Sequence, residues 1–141
     1  MDDQKVILQM ISTQVQEDGQ EAVMKLTTSG TLHRGADSTV LEYEETGDGG
    51  MTGQASIEMK GDTVMLVREG EASMRLILRQ GCKYISTYST PFGRLDMEAL
   101  PTKVMYVMGE KDGRIELEYH MHMQNQYLGM NRVSVQFHPQ A

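Results

Sequence analysis

Residues 114–123 read Arg-Ile-Glu-Leu-Glu-Tyr-His-Met-His-Met. Ile115, Leu117, Tyr119, Met121 and Met123 occupy one phase of a two-residue period; Arg114, Glu116, Glu118, His120 and His122 occupy the other. A helix, with its period of 3.6, would mix the two sets around its surface. A strand separates them onto two faces, one for a core and one for water. The stretch is a half-buried β-strand, and its neighbours repeat the pattern. Gly53, Ala55, Ile57 and Met59 alternate with Thr52, Gln54, Ser56, Glu58 and Lys60. Leu95, Met97 and Ala99 alternate with Arg94, Asp96 and Glu98, and Val133, Val135 and Phe137 end the chain the same way.

Turn chemistry punctuates these runs. Gly61-Asp62 suits a two-residue hairpin with positive φ at the glycine, and Gln80-Gly81 does similar work. Asp112-Gly113 is a strong hairpin signal. Asp18-Gly19 bends the chain, Asp48-Gly49-Gly50 is a flexible loop, and Thr90-Pro91-Phe92-Gly93 places a proline at the second position of a turn. Pro101 has no N–H for a ladder and marks a strand end. The strands predicted are 5–16, 21–32, 39–46, 52–60, 63–69, 73–79, 83–89, 94–100, 103–109, 113–123 and 127–137. In the first of them apolar residues occupy both faces, which predicts a bulge or strong curl near Met10. No segment has a helical period. Short strands joined by hairpins make a single-domain, all-β, antiparallel up-and-down barrel, with a β-sandwich as the alternative.

The chain has 141 residues, the usual size of one domain, and needs no disulfide or metal to hold a core. Cys82 is the only cysteine, which fits a reducing compartment and reads as structural. The net charge of −7 and the scattered thirteen Lys and Arg argue against a nucleic-acid partner. The start, Met1-Asp2-Asp3-Gln4-Lys5, lacks a basic, apolar leader, and no run approaches the roughly eighteen apolar residues of a membrane helix. The expected location is the cytoplasm. Thirteen methionines and no tryptophan make either an adaptable core or a deformable cavity wall.

Several stretches in fixed order carry a resemblance. Tyr43-Glu44-Glu45 stands in the third strand. Arg68-Glu69-Gly70 follows an apolar strand and leads to Met74. Tyr88-Ser89-Thr90-Pro91-Phe92-Gly93-Arg94-Leu95 comes next, Gly113-Arg114-Ile115 opens a strand that reaches Tyr119, and Asn131 lies in the last strand. From about Lys5 to Phe137 the chain resembles the YwiB-like family of bacterial proteins. The resemblance implies a calycin-like barrel and no established activity. With no Trp, the chain lacks the Gly-x-Trp signature of true lipocalins. His120 stands where the family often has an acidic residue.

Arg68 shares its phase with Val64 and Leu66 and is expected to face the interior. A guanidinium there needs a carboxylate or a bound anion. Glu42 and Glu44, in phase with Val40, and Glu71 are the candidate partners; Tyr43, Tyr88 and Tyr119 could supply hydroxyls. Together with Met74 and Asn131 from the resemblance, the candidate ligand site is Arg68, Glu44, Tyr43, Met74, Tyr88, Tyr119 and Asn131. Arg68 has two readings: a bidentate anchor for an anionic group, or a structural Arg–Glu pair closing the barrel end. Met59, Met74, Met97, Met121 and Met123 either line a cavity or pack the interior. His120-x-His122 offers two metal ligands, but the face reads as solvated. No phosphate loop and no nucleophile beside a base is visible, so no cofactor or metal is expected. Three functions follow in order of preference: a small-molecule carrier or sensor, a protein-interaction module with a filled barrel, and an enzyme. A homodimer through an uncovered sheet face is compatible with each.

Overall fold

Every stretch with a two-residue period folds as a strand. The computed structural model describes residues 3–46, 52–70 and 73–140. Its strands are β1 (Asp3–Val15), β2 (Glu21–Arg34), β3 (Thr39–Thr46), β4 (Thr52–Lys60), β5 (Thr63–Glu69), β6 (Met74–Arg79), β7 (Tyr84–Thr90), β8 (Gly93–Met108), β9 (Gly113–Met123) and β10 (Gln126–Pro139). They form one ten-stranded sheet in the order β6-β5-β4-β3-β2-β1-β10-β9-β8-β7. Every pairing is antiparallel. The first and last strands pair from Val6↔Pro139 to Val15↔Met130, which turns the meander into a barrel rather than a sandwich.

The two edges of the sheet, β6 and β7, meet at a seam. Ser73 and Ser89 exchange backbone hydrogen bonds of 2.9 and 3.1 Å at one end, and Cys82 N–H donates to the Arg79 carbonyl at 3.0 Å at the other. Between these points no backbone hydrogen bond joins Met74–Leu78 to Tyr84–Tyr88. Gly81 takes φ +80°, as a tight turn requires, but its N–H donates to the Pro101 carbonyl at 2.9 Å, and the hairpin stops after one bridge.

Three local expectations are corrected. Residues 94–100 and 103–109 are a single strand, β8, and Pro101 does not end it. Pro101 pairs with Tyr119 and Lys103 with Glu118, so Thr102 is the extra residue of a bulge, where the missing N–H of proline is tolerated. The Thr102 hydroxyl caps the irregularity by donating to the Glu118 carbonyl at 3.2 Å. Secondly, β1 runs through Met10 without a register shift. The bulge lies opposite its end, at Tyr127/Gly129 in β10. Gly129 takes φ +123°, and a Cβ there would strike the Val15 carbonyl oxygen. Thirdly, Gly113 is not a turn residue. Met108 pairs with Gly113 around the loop Gly109–Asp112, and the space where a Cβ would stand is filled by the Phe137 ring.

The interior is one apolar cluster. Phe137, Leu8, Leu32, Leu41, Ile57, Leu76, Leu78, Ile115 and Leu117 are fully buried, and no described polar or charged residue joins them. Met59, Met97 and Met121 are buried within this cluster, and Met74 and Met123 pack against it. These methionines therefore serve as packing over most of the interior. Among the described residues no helix is long and apolar enough to cross a membrane.

Candidate functional site

The inward stripes change character along the barrel. At the end that carries the chain termini, β1 contributes Val6, Leu8 and Met10, β10 contributes Phe137, Val135 and Val133, and β5 contributes Val64 and Leu66. Toward the opposite end the same stripes continue as Ser12 and Gln14, as Asn131, and as Arg68. Alternation forces these side chains to the same face as their apolar predecessors. The barrel thus closes on an apolar, packed end and opens on a polar one.

Two cross-strand rows build the polar end. One runs Gly30–Tyr43–Ala55–Arg68–Met74 across β2 to β6, each residue directly opposite the next. Beyond the seam, the Ser73–Ser89 bridge brings Tyr88 alongside Met74. The other row runs Pro101–Tyr119–Asn131–Gln14 from β8 through β9 and β10 to β1. Tyr43 and Tyr119 are buried; Met74, Tyr88 and Asn131 are half-buried; Arg68 is exposed at the mouth. The charge of Arg68 in the first row acts on Tyr119 in the second. Burial pushes the Tyr119 phenol above its ordinary 10.0, while the charge of Arg68 and a side-chain hydrogen bond with Asn131 pull it back down.

Six of the seven candidate residues are therefore inward-facing: Arg68, Tyr43, Met74, Tyr88, Tyr119 and Asn131. The seventh, Glu44, is misplaced by the sequence reading. In β3 the inward phase belongs to Leu41 and Tyr43, not to Val40, so Glu42 and Glu44 lie on the outer face. Glu44 accepts a hydrogen bond from Gln54 Nε2 at 3.3 Å, and Glu42 lies 3.4 Å from His33 Nε2. Neither is the carboxylate partner expected for Arg68. Glu71, the third carboxylate expected near Arg68, falls outside the described residues. Gln14 was missed from sequence. Its signal is the inward stripe of β1, which turns from Val6, Leu8 and Met10 to Ser12 and Gln14. Beside this end, Glu44, Gly53, Gln54, Glu69 and Gly70 line a depression of about 240 Å³.

The outer wall carries a separate histidine group. His120 Nδ1 and the Tyr127 hydroxyl are 2.7 Å apart, and the His122 ring lies 5.1 Å from that of Tyr127. Glu98, opposite His122, is 2.8 Å from Lys83 Nζ, and that hydrogen bond holds its carboxyl below the usual value. Among the described residues no three His, Cys, Asp or Glu side chains gather as metal ligands.

Comparison with known proteins agrees with this architecture. A family model described as Domain of unknown function (DUF1934) matches residues 9–135. The uncharacterized β-barrel protein YwiB of Bacillus subtilis (strain 168) is 21% identical over 127 residues, covering 90% of this chain and 89% of that one. The crystal structure of Bacillus subtilis YwiB has a TM-score of 0.86 at 20% identity, covering 99% of this chain and 94% of that chain. The fold is thus a β-barrel shared with a solved bacterial protein, and the chain belongs to the DUF1934 family.

Proposed function

We propose that the protein is a cytoplasmic, calycin-like barrel that binds a small molecule with an apolar body and an acidic group. The observation that carries this reading is the solvent-reachable guanidinium of Arg68 on the inward face, acting on the buried phenol of Tyr119. An acidic group seated at the mouth would accept a charge-assisted hydrogen bond from Arg68. Tyr88 and Asn131 offer further hydrogen bonds, and Met74, Met121 and Met123 offer an apolar surface that adapts to shape. The packed opposite end limits the ligand to the polar half. Glu44, on the outer wall, takes no part.

The test is native mass spectrometry on gently purified protein, paired with titration of the anionic, apolar fluorophore 1-anilinonaphthalene-8-sulfonate. Support is an added mass that leaves on denaturation, with saturable fluorophore binding weakened about tenfold by Arg68→Met and unchanged by Glu44→Gln. A bare chain mass together with no saturable binding would overturn the reading. A second reading, a protein-interaction module, is favoured by one observation. Phe92, at the tip of the β7–β8 hairpin beside the same mouth, is 99% exposed.

A further inference from the structure

We propose that β2 pairs edge to edge with β2 of a second copy of this chain. β2 is fourteen residues long, but β3 covers only its last five: the ladder runs from Gly30↔Tyr43 to Arg34↔Thr39 and stops. Beyond it β3 continues with β4 alone, pairing Glu44, Glu45 and Thr46 with Gln54, Gly53 and Thr52. Among the described residues, the stretch Glu21–Ser29 is held by β1 alone. Among the described residues nothing pairs with its other edge. Half the backbone donors and acceptors of this stretch face away from β1, and they form a template for another strand.

The side chains on that edge choose the occupant. Val23 is 57% exposed and Met24 72% exposed, an apolar pair in the middle of the free edge. Glu21 and Lys25 flank them, both exposed and on the same outward phase as Val23. Within the chain, among the described residues, neither forms an ion pair. A lone lysine on an edge normally deters pairing. Here the glutamate four residues away reverses that for one partner. In an antiparallel pair centred on Val23, residue 23 faces its twin, Ala22 faces Met24, and Glu21 faces Lys25 twice, related by the two-fold axis. The segment is therefore complementary to itself in charge as well as in shape, as a two-fold interface requires. Ile11, opposite Lys25 on β1 and 45% exposed, would extend the apolar surface along the outer face of the joined sheets.

Sedimentation velocity of the full chain at about 100 μM tests this, in the concentration range where micromolar affinities register. The expected species is a dimer. Lys25→Glu, and separately Glu21→Lys, turn both symmetric pairs repulsive and raise the dissociation constant about tenfold or more. The double variant Glu21→Lys/Lys25→Glu restores the dimer. All the changes are at exposed positions, and circular dichroism verifies that each variant remains folded. A monomeric wild type at this concentration overturns the proposal. So does a dimer indifferent to Lys25→Glu, or single variants that the double fails to rescue.

Discussion

Tyr119 shows how one residue links the core to the mouth. Its ring belongs to the apolar cluster, and its hydroxyl bonds the Asn131 side chain within reach of the Arg68 charge. Burial raises its pKa above the unfolded value, so its contribution to stability is complete below the unfolded phenol value of about 10. That contribution is lost as pH rises through the raised native value. Tyr119→Phe is expected to flatten this alkaline loss, seen in urea unfolding followed from pH 7 upward. At neutral pH it should cost about 1 kcal/mol, because Asn131 loses its partner. Gly129→Ala is a harsher change. It places a Cβ against the Val15 carbonyl in a backbone region reserved for glycine, and a loss of about 2–4 kcal/mol is expected in the same assay. At this scale sequence was a partial guide. The family resemblance supplied Asn131, and alternation put Arg68 and Tyr119 on the correct face. It failed at Glu44 because Val40 and Leu41 offer an apolar residue to either phase, and only the pairing partners of Leu41 decide which is inside.

Strands were legible as elements wherever one face is apolar, and their joints were not. Pro101 looks like a terminus because a proline interrupts a ladder. In the barrel it sits at a bulge, and its carbonyl accepts from Gly81 in the β6–β7 turn. A bulge is settled by the partner strand, which the local sequence does not contain. The β9–β10 turn makes the converse point. Gln124 and Asn125 take φ of +52° and +64°, the demand of a two-residue hairpin that favours Asn-Gly. Gln124 is tied in place by its Oε1, which accepts from Asp96 N–H at 3.3 Å, while the Asn125 side chain makes no hydrogen bond among the described residues. Asn125→Gly is therefore expected to stabilise the protein by about 0.5–1 kcal/mol, visible as a higher urea midpoint at unchanged slope.

For the molecule as a whole, closure depends on the most distant pairing available, β1 with β10. A barrel closed this way is rich in non-local contacts and should fold slowly, on the millisecond-to-second scale. Its stability should also be uneven. Native-state hydrogen exchange is expected to be slowest in β1, β9 and β10, which have strands on both sides. It should be fast at the seam-facing amides of β6 and β7. Uniform protection around the barrel would contradict the open seam. By itself the sequence determined the class of structure, because a two-residue period, tight-turn glycines and the absence of any helical stripe are local properties. It also determined that the Arg68 guanidinium and the Tyr119 phenol face inward, since side-chain phase follows from the strand. The tertiary structure alone decided that β1 closes on β10, that the wall is unzipped between β6 and β7, and that β2 outruns β3. It alone brought Arg68 and Tyr119 from opposite walls to one mouth. Those outcomes depend on register and closure between segments far apart in the chain, and such pairings are selected by the packing of the whole interior rather than by any stretch within it.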